Sequence, residues 1–587
     1  MGSLPRFLLV PVGGGSAGMG HLTRCLSLSR KLPGEVSIFS GDLSADARQH
    51  LGAVHHPEVR VVDALGAETW DLILLDRRET SARELARFQS LGSVACLDEG
   101  GDARSVASYL IDALPRLPRT TPPNIASARF LDLPERTVQA APGTVRTLLL
   151  SFGGADEADL TGAMLSAVLD RQLLPASSVT VVQGPLFKRQ SWPDGVQVLR
   201  GLDSLDGILS GFDLVITHFG LTALSALSMG VPLALFNPTP YHDALARTLG
   251  SPRLGVQRVN TAALRSVLKN TAACIAAAER FHQALSKDQR GTLEEHVTRL
   301  AQSNGHLCPA CGRSGNPIVA RFPLRTYRRC PACGILHLES FGGPAKSYDA
   351  RYFGDEYKKQ YGRTYLEDFQ AIKESGRDRI ALMKSVLRGV TAGTFLDVGC
   401  AYGPFLDALR EAGLKPFGID VSEDAVRHVS ERLGIPAVTA SFEAIERSAL
   451  PGGPVRGISL WFVIEHLGSL DGCLRKAASL LSEGGVLAFS TPNGRGVSAL
   501  SDLPAFLQKS PPDHVTVLSP RGLSALLSRY GLRLRKIRVT GHHPERFPGL
   551  LGRWAARRRS GRALVGTFSR LARLGDTFEA YAVKETT

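Results

Sequence analysis

The 587-residue sequence has no apolar run that approaches the roughly 20 residues needed to cross a bilayer. No transmembrane segment is therefore expected. It has no low-complexity tract, and no internal repeat beyond a recurring strand–helix rhythm, which excludes solenoids and long disordered arms. It lacks the cysteine framework of a small secreted protein. Of nine cysteines, four make two Cys-x-x-Cys pairs, and Cys25, Cys96, Cys274, Cys400 and Cys473 are scattered in apolar contexts. That usage fits a reducing cytoplasm. The start, MGSLPRFLLVPVGGG, has one arginine and a short apolar run that breaks into glycines, so it reads as a first β-strand rather than a signal peptide. Arg6 stands where a myristoylation signal needs Ser or Thr.

At this length, three or more domains are expected. With 43% hydrophobic and 21% charged residues, the composition suffices for several cores. The net charge is +14, and part of the excess gathers at Arg553, Arg557, Arg558, Arg559, Arg562, Arg570 and Arg573. Such a face attracts nucleic acid, anionic lipid or phosphorylated sugars, or is simply solvated.

Short apolar runs at 7–12, 36–39, 72–75 and 94–97 alternate with helical patterns and read as buried parallel strands. A Pro-rich stretch at 114–124 reads as a crossing between lobes. A second series begins at TLLLSFGG and continues through VTVVQG, LVITHFG and VPLALFN. Two βαβ series predict two facing Rossmann-like lobes with a cleft at the strand ends. A long helical pattern from Thr261 to about Ser303 closes this half. Gly13, Gly14, Gly15, Gly18 and Gly20 predict a loop whose amides face an anion at a helix N-terminus. Leu22, Cys25, Leu26 and Ser29 follow helical spacing inward, which puts His21 at the cleft mouth as a candidate base or a helix cap.

Cys308-Pro-Ala-Cys311 and Cys330-Pro-Ala-Cys333 are separated by 18 residues, each followed by glycine. Identical knuckles at this spacing predict a zinc ribbon: four thiolates suit tetrahedral Zn²⁺ and leave no open position, so the metal is structural. An aromatic and charged lead-in, Ser347–Phe369, precedes a third Rossmann-like unit. There TFLDVGCAYGPFLDALREAG reads as strand, glycine turn and helix, with Asp397 at the strand end and Gly399 and Gly403 letting backbone approach a ligand. The next strand ends at Asp420, placed to take the hydroxyls of a ribose. GISLWFVIEHL and LLSEGGVLAFSTPN follow.

Together these motifs resemble the class I SAM-dependent methyltransferases, over nearly all of 346–587. The resemblance implies S-adenosylmethionine as cofactor, with Asp397, Gly399 and Gly403 at its methionine part, Asp420 on its ribose, and Ser441 and Phe442 at its adenine. Ala401 replaces a usual middle glycine. VIEHL and PPDHVTVLSPRGLSALLSRYGL look most like the small-molecule O-methyltransferase branch. For a hydroxyl acceptor, His466 and His514 are the candidate bases, and Glu465 is a residue to orient them or hold a divalent ion.

GMGHLTRCLSL resembles the nucleotide-sugar hydrolases of pseudaminic-acid biosynthesis, which have the glycosyltransferase-B fold. That resemblance covers about 1–290 and implies that His21 activates water. Ser225 falls where the family carries a ribose-gripping glutamate, so another nucleotide, or a sugar held without cleavage, is also open. Residues 549–573 read as a basic helix with Leu551, Trp554, Leu564, Phe568 and Leu571 apolar. It could touch an anionic membrane weakly. The strand-like DTFEAYAVKE that follows favours an insertion shaping the acceptor pocket.

The expected architecture is α/β: glycosyltransferase-B-like lobes at 1–130 and 140–303, a zinc ribbon at 304–345 and a methyltransferase at 346–587. The expected function is a cytoplasmic, bifunctional enzyme that tailors a nucleotide-sugar or glycan substrate by O-methylation. One alternative makes the N-terminal half a non-catalytic glycan-binding module. The other is a nucleic-acid methyltransferase, disfavoured because no Asn/Asp-Pro-Pro-Tyr/Phe motif stands where VIEHL does.

Overall fold

The computed structural model describes residues 4–14, 19–54, 57–115, 121–137, 143–154, 156–184, 187, 191–202, 204–301, 307–313, 315–341, 357–358, 362–388 and 391–585. Gly15 and Gly18, part of the Pro-rich crossing, the start of the aromatic lead-in, and the expected boundaries at 140, 304, 345 and 346 lie outside the described residues. The chain folds as two compact units, Met1–Ser303 and Asn304–Thr587.

The first unit contains two seven-stranded sheets. The first sheet is parallel, in the order Arg60–Val62, Glu35–Phe39, Arg6–Pro11, Trp70–Asp76, Gly92–Leu97, Tyr109–Asp112, Ile125–Ala126. The second runs Gln197–Leu199, Val179–Val182, Leu148–Ser151, Leu214–Thr217, Leu233–Asn237, Arg253–Val256, Arg258–Val259, with only the last pair antiparallel. The central strands are continuous apolar runs and are buried, because helices cover both faces of a parallel sheet. In each sheet the chain reverses direction beside its first strand, and this switch point opens a crevice at the strand ends. The helical pattern at the end of this unit is not continuous. It forms Thr261–Lys269, Ala272–Lys287 and Leu293–Leu300. Asn270 leaves helical geometry, and Thr292 starts the third helix afresh with a capping box to Glu295.

In the second unit, the large sheet has the order Ala437–Thr439, Lys415–Asp420, Thr394–Val398, Val455–Trp461, Leu481–Pro492, Thr577–Lys584, Leu532–Thr540. The first five strands are parallel and Thr577–Lys584 lies antiparallel between its neighbours. The strand carrying Asp397 continues one residue beyond it, to Val398. The basic stretch is two helices rather than one, Gly549–Arg557 and Arg559–Leu571, broken where Arg558 turns extended. It is inserted between the last two strands of the sheet.

The cysteine segment does not stand apart from this unit. Its strands Ile318–Phe322, Arg325–Arg329 and Leu336–Ser340 form an antiparallel sheet completed by Thr516–Val517 from the other end of the unit. Cys308, Ala310, Cys330 and Ile335 share one buried cluster with Leu523, Leu526 and Leu527.

Candidate functional site

The large sheet of the second unit has its switch point between Thr394–Val398 and Val455–Trp461. A tight turn leaves the first of these strands and enters the helix Pro404–Glu411. Gly399 (φ 70°) and Gly403 (φ 81°) both adopt left-handed backbone, and a Cβ on Gly399 would stand 2.4 Å from Val463. Ala401 is also left-handed, at φ 47°. The turn is pinned by Gly399 N–H to Ile419 O at 2.7 Å, and by Ala401 N–H to Asp420 Oδ2 at 2.8 Å. Asp420 Oδ1 accepts from Ser422 N–H at 2.9 Å. The Asp420 carboxylate thus ties the two strand ends together at the crevice floor.

Asp397 is buried and accepts 2.7 Å from Ser459 Oγ. Burial pushes its carboxyl up to about 7, against the pull of Ser459 and the Arg379 charge. Burial also raises Asp420. Two buried carboxyls thus stand at the strand ends of the switch point, both raised by burial. Tyr365, from the aromatic lead-in, and Tyr402 pack over this floor, and the charges of Asp397 and Asp420 reach the Tyr365 hydroxyl. Tyr365 was not singled out in the sequence, where only the aromatic run marked its neighbourhood. Ser441 caps its own turn through Ala444 N–H at 3.2 Å, while the Phe442 ring lies in the main core.

Just past the partner strand, the one-turn helix Ile464–His466 carries two more candidates. Glu465 is fully buried and neither oxygen has a hydrogen-bond partner among the described residues. Burial pushes it up to about 7, against the attraction of His466. His466 Nδ1 lies 3.1 Å from Asp513 Oδ2, and its ring meets that of His514 edge to face at 4.7 Å. Glu465, His466 and His514 offer ligand atoms within 4.8 Å of one another. His514 lies in the segment that joins the cysteine sheet: Leu338 N–H donates to Val515 O at 2.8 Å, and Thr516 and Val517 pair with His337 and Leu336. The cysteine module therefore positions a residue of the crevice. The sequence, in which the module reads as a docking piece or lid for the acceptor, does not single out Asp513.

The four Sγ atoms of Cys308, Cys311, Cys330 and Cys333 lie within 4.8 Å of one another, and Cys311 and Cys330 are 3.6 Å apart. Thiolates 2.3 Å or so from a common centre stand about this far apart in a tetrahedron. Arg529 Nη1 donates to Cys333 Sγ at 3.4 Å, and Asp471 N–H donates to Pro309 O, docking the knuckles on the core.

In the first unit, His21 begins the helix Gly20–Ser29 at the switch point of its sheet. Its Nδ1 is 2.7 Å from Asp76 Oδ1, at the end of the adjacent strand. Arg24 Nε donates to Asp76 Oδ2 at 2.7 Å, and Arg24 Nη1 to Asp98 Oδ2 at 2.6 Å. Burial would raise the Asp76 carboxyl, but the Arg24 charge and hydrogen bonds, with His21, outweigh it and hold it below the usual range. Asp76 and Arg24 were not singled out beforehand. Ser225 lies half-buried on the helix Leu221–Met229. Closer to the crevice of the second sheet stand His218 and His242, rings 6.1 Å apart, with His242 Nδ1 2.7 Å from Thr239 Oγ1.

A family model described as a methyltransferase domain matches residues 366–537. The ubiquinone biosynthesis O-methyltransferase of Burkholderia ambifaria is 26% identical over 158 residues, covering 25% of this chain and 68% of that protein. An uncharacterized protein of Methanocaldococcus jannaschii, MJ1062, is 30% identical over 114 residues, 17% of this chain. The chain spans only 22% of that relative's length. Among solved structures, a SAM dependent methyltransferase from Archaeoglobus fulgidus is 19% identical with a TM-score of 0.28, over 39% of this chain and 98% of that one. Residues 366–537 are a SAM-dependent methyltransferase domain, and through them the chain is an enzyme.

Proposed function

We propose that the chain O-methylates a sugar, free or carrier-linked, and that its first unit processes a nucleotide-linked sugar for the same route. The observation that carries the methylation reading is the His466–Asp513 pair beside His514 and Glu465, at the crevice that also holds Asp397 and Asp420. Bound S-adenosylmethionine supplies a methyl group on a sulfonium centre. The chain's residues do the rest. Asp420 would take the ribose hydroxyls and Asp397 would face the cationic methionine end, while Gly399 and Gly403 permit the left-handed turn packed against Val463, Leu433 and Val429 that shapes the site. Asp513 holds the Nδ1 side of His466, so Nε2 takes the acceptor proton as the methyl moves. A base so placed contributes ~10²–10⁴-fold. The O-methyltransferase named among the relatives supports oxygen as the atom. Alternatively, Glu465, His466 and His514 could hold a divalent ion that polarises the hydroxyl.

In the second-unit cysteine module we place a structural Zn²⁺ on Cys308, Cys311, Cys330 and Cys333. For the first unit, the paired switch-point sheets and the His21–Asp76 dyad support a glycosyltransferase-B-like nucleotide-sugar hydrolase or transferase, with His21 activating water. The nine cysteines, none paired in a disulfide, support a cytoplasmic setting. The test is transfer of tritiated methyl from S-adenosylmethionine to a panel of sugars, sugar nucleotides and RNA. His466→Ala should lose ~10²-fold or more in turnover at nearly unchanged cofactor affinity. Equal turnover removes His466 from the chemistry, and labelling of RNA alone overturns the sugar reading. Release of UDP from sugar nucleotides, lost in His21→Ala, tests the first unit.

A further inference from the structure

The two helices Gly549–Arg557 and Arg559–Leu571 form a hairpin whose inward face is already complete. Ala555 and Val565 pack with Phe547 and Val497. The helices meet closely at Gly561, where a Cβ would stand 2.8 Å from the Trp554 carbonyl oxygen. The outward side is unusual. Leu550 is 78% exposed, Leu564 63% and Leu571 80%, with Leu551, Trp554 and Phe568 also in water. Interleaved with them are Arg553, Arg557, Arg558, Arg559, Arg562, Arg570 and Arg573, all exposed, and residues 549–573 contain no acidic side chain.

We propose that this hairpin is a docking surface for an anionic lipid bilayer. Large apolar side chains left in water gain by entering the acyl boundary, and arginines between them meet anionic headgroups. Both helices are far shorter than a membrane span, so the hairpin lies in the interface. A polyanion such as RNA would account for the arginines but gives exposed leucines no partner, which is why lipid is the better fit. The hairpin leaves the sheet where Thr540 pairs with Thr577 and Thr577 with Pro492. That is the strand-end edge that also carries Asp420 and Glu465, so a docked bilayer lies on the crevice's side of the sheet.

The test floats the full-length protein with vesicles of phosphatidylcholine alone and with vesicles one-third phosphatidylglycerol. The protein should rise with the anionic vesicles only. Arg558→Ser/Arg559→Ser/Arg562→Ser should weaken partition ~100-fold, at roughly fivefold per basic residue. Leu550→Ser/Leu564→Ser/Leu571→Ser should weaken it by at least about tenfold. All six side chains are exposed, so melting temperature and cofactor binding should stay as in the parent. Independently of any folding loss in those variants, tryptophan emission of the parent should shift blue on anionic vesicles, and Trp554→Phe should remove the shift. The proposal is overturned by absence of flotation, by flotation indifferent to the leucines, or by RNA binding that displaces the vesicles and ignores the leucine variant.

Discussion

Each unit places a histidine against an aspartate at a sheet's switch point, but the buried carboxyls at the two sites are held differently. In the first unit, Asp76 is wholly buried and Arg24 grips it from two sides while also bonding Asp98. The negative charge is neutralised within the protein, and His21 is held by a carboxylate that stays ionised. In the second unit, Glu465 and Asp397 are buried with their carboxyls pushed up to about 7. Burial outweighs the Arg379 charge at Asp397 and the attraction of His466 at Glu465. In the first unit a buried carboxylate is kept ionised by its arginine; in the second, burial holds two carboxyls ready to take up protons near neutrality.

The largest effect should come from removing the proposed Zn²⁺, which should act on the second unit and leave the first unchanged. Structural zinc contributes on the order of 10–16 kcal/mol to folding small cysteine modules. Chelation, or Cys330→Ser, should release the pairing of Leu336–His337 with Thr516–Val517 and with it the His514 segment. Hydrogen exchange should quicken across 511–518 and remain slow around His21 and Asp76. If 511–518 stays protected after the metal is gone, the module does not hold the crevice.

Next in size is Arg24→Met. It leaves Asp76 buried without its main counter-charge, a loss of about 3–5 kcal/mol. The Asp76 carboxyl would then be ruled by burial and rise. Denaturant unfolding of the first unit should show this loss, and methyl transfer should be unaffected. Asp513→Asn, in the half-buried pair, should cost much less stability but still lower turnover.

The pH response should also divide the units. Asp397 is raised from 3.8 to about 7, so the folded state binds its proton more tightly than the unfolded chain. Its contribution to the stability of the ligand-free protein therefore falls as pH climbs between those values. A bound cation favours the ionised form, so cofactor affinity should rise through about pH 7 and then level off. Calorimetry across that range checks the sign. A flat affinity would mean that Asp397 does not face the cationic end. Asp76, already held low, gives the first unit no matching step near neutrality.

How much of this was legible in the sequence follows from the range of each signal. The strand–turn–helix at 394–411 could be placed because glycine spacing is local, and the two cysteine knuckles for the same reason. The partners of the histidines could not, since Asp76 and Asp513 meet them only through folding. The strand Thr516–Val517 is two residues long and carries no periodicity. The helical stretch 261–303 was over-extended because amphipathic spacing continues on either side of Asn270 and Thr292, while the breaks rest on single capping residues.

The smallest effect concerns strain. Each unit puts a non-glycine residue in left-handed backbone beside its site, Asp98 (φ 53°) and Ala401 (φ 47°). Such a residue costs roughly 1–2 kcal/mol against a right-handed one. Asp98 has local compensation: its Oδ1 accepts from Ala113 N–H and Leu114 N–H, both at 2.9 Å, and its Oδ2 from Arg24. Ala401 is held by its own N–H bond to Asp420 Oδ2 at 2.8 Å, and its methyl packs with Tyr402 and Ala425. Ala401→Gly relieves the strain but gives up about 0.8 kcal/mol of methyl burial and gains chain entropy in the unfolded state. These oppose each other, so unfolding free energy should change by less than about 1 kcal/mol. Asp98→Gly relieves the same backbone but removes three hydrogen bonds and a partner of Arg24, so it should destabilise clearly. If Ala401→Gly instead stabilised by as much as Asp98→Gly destabilises, the second turn would be storing strain rather than tolerating a small side chain.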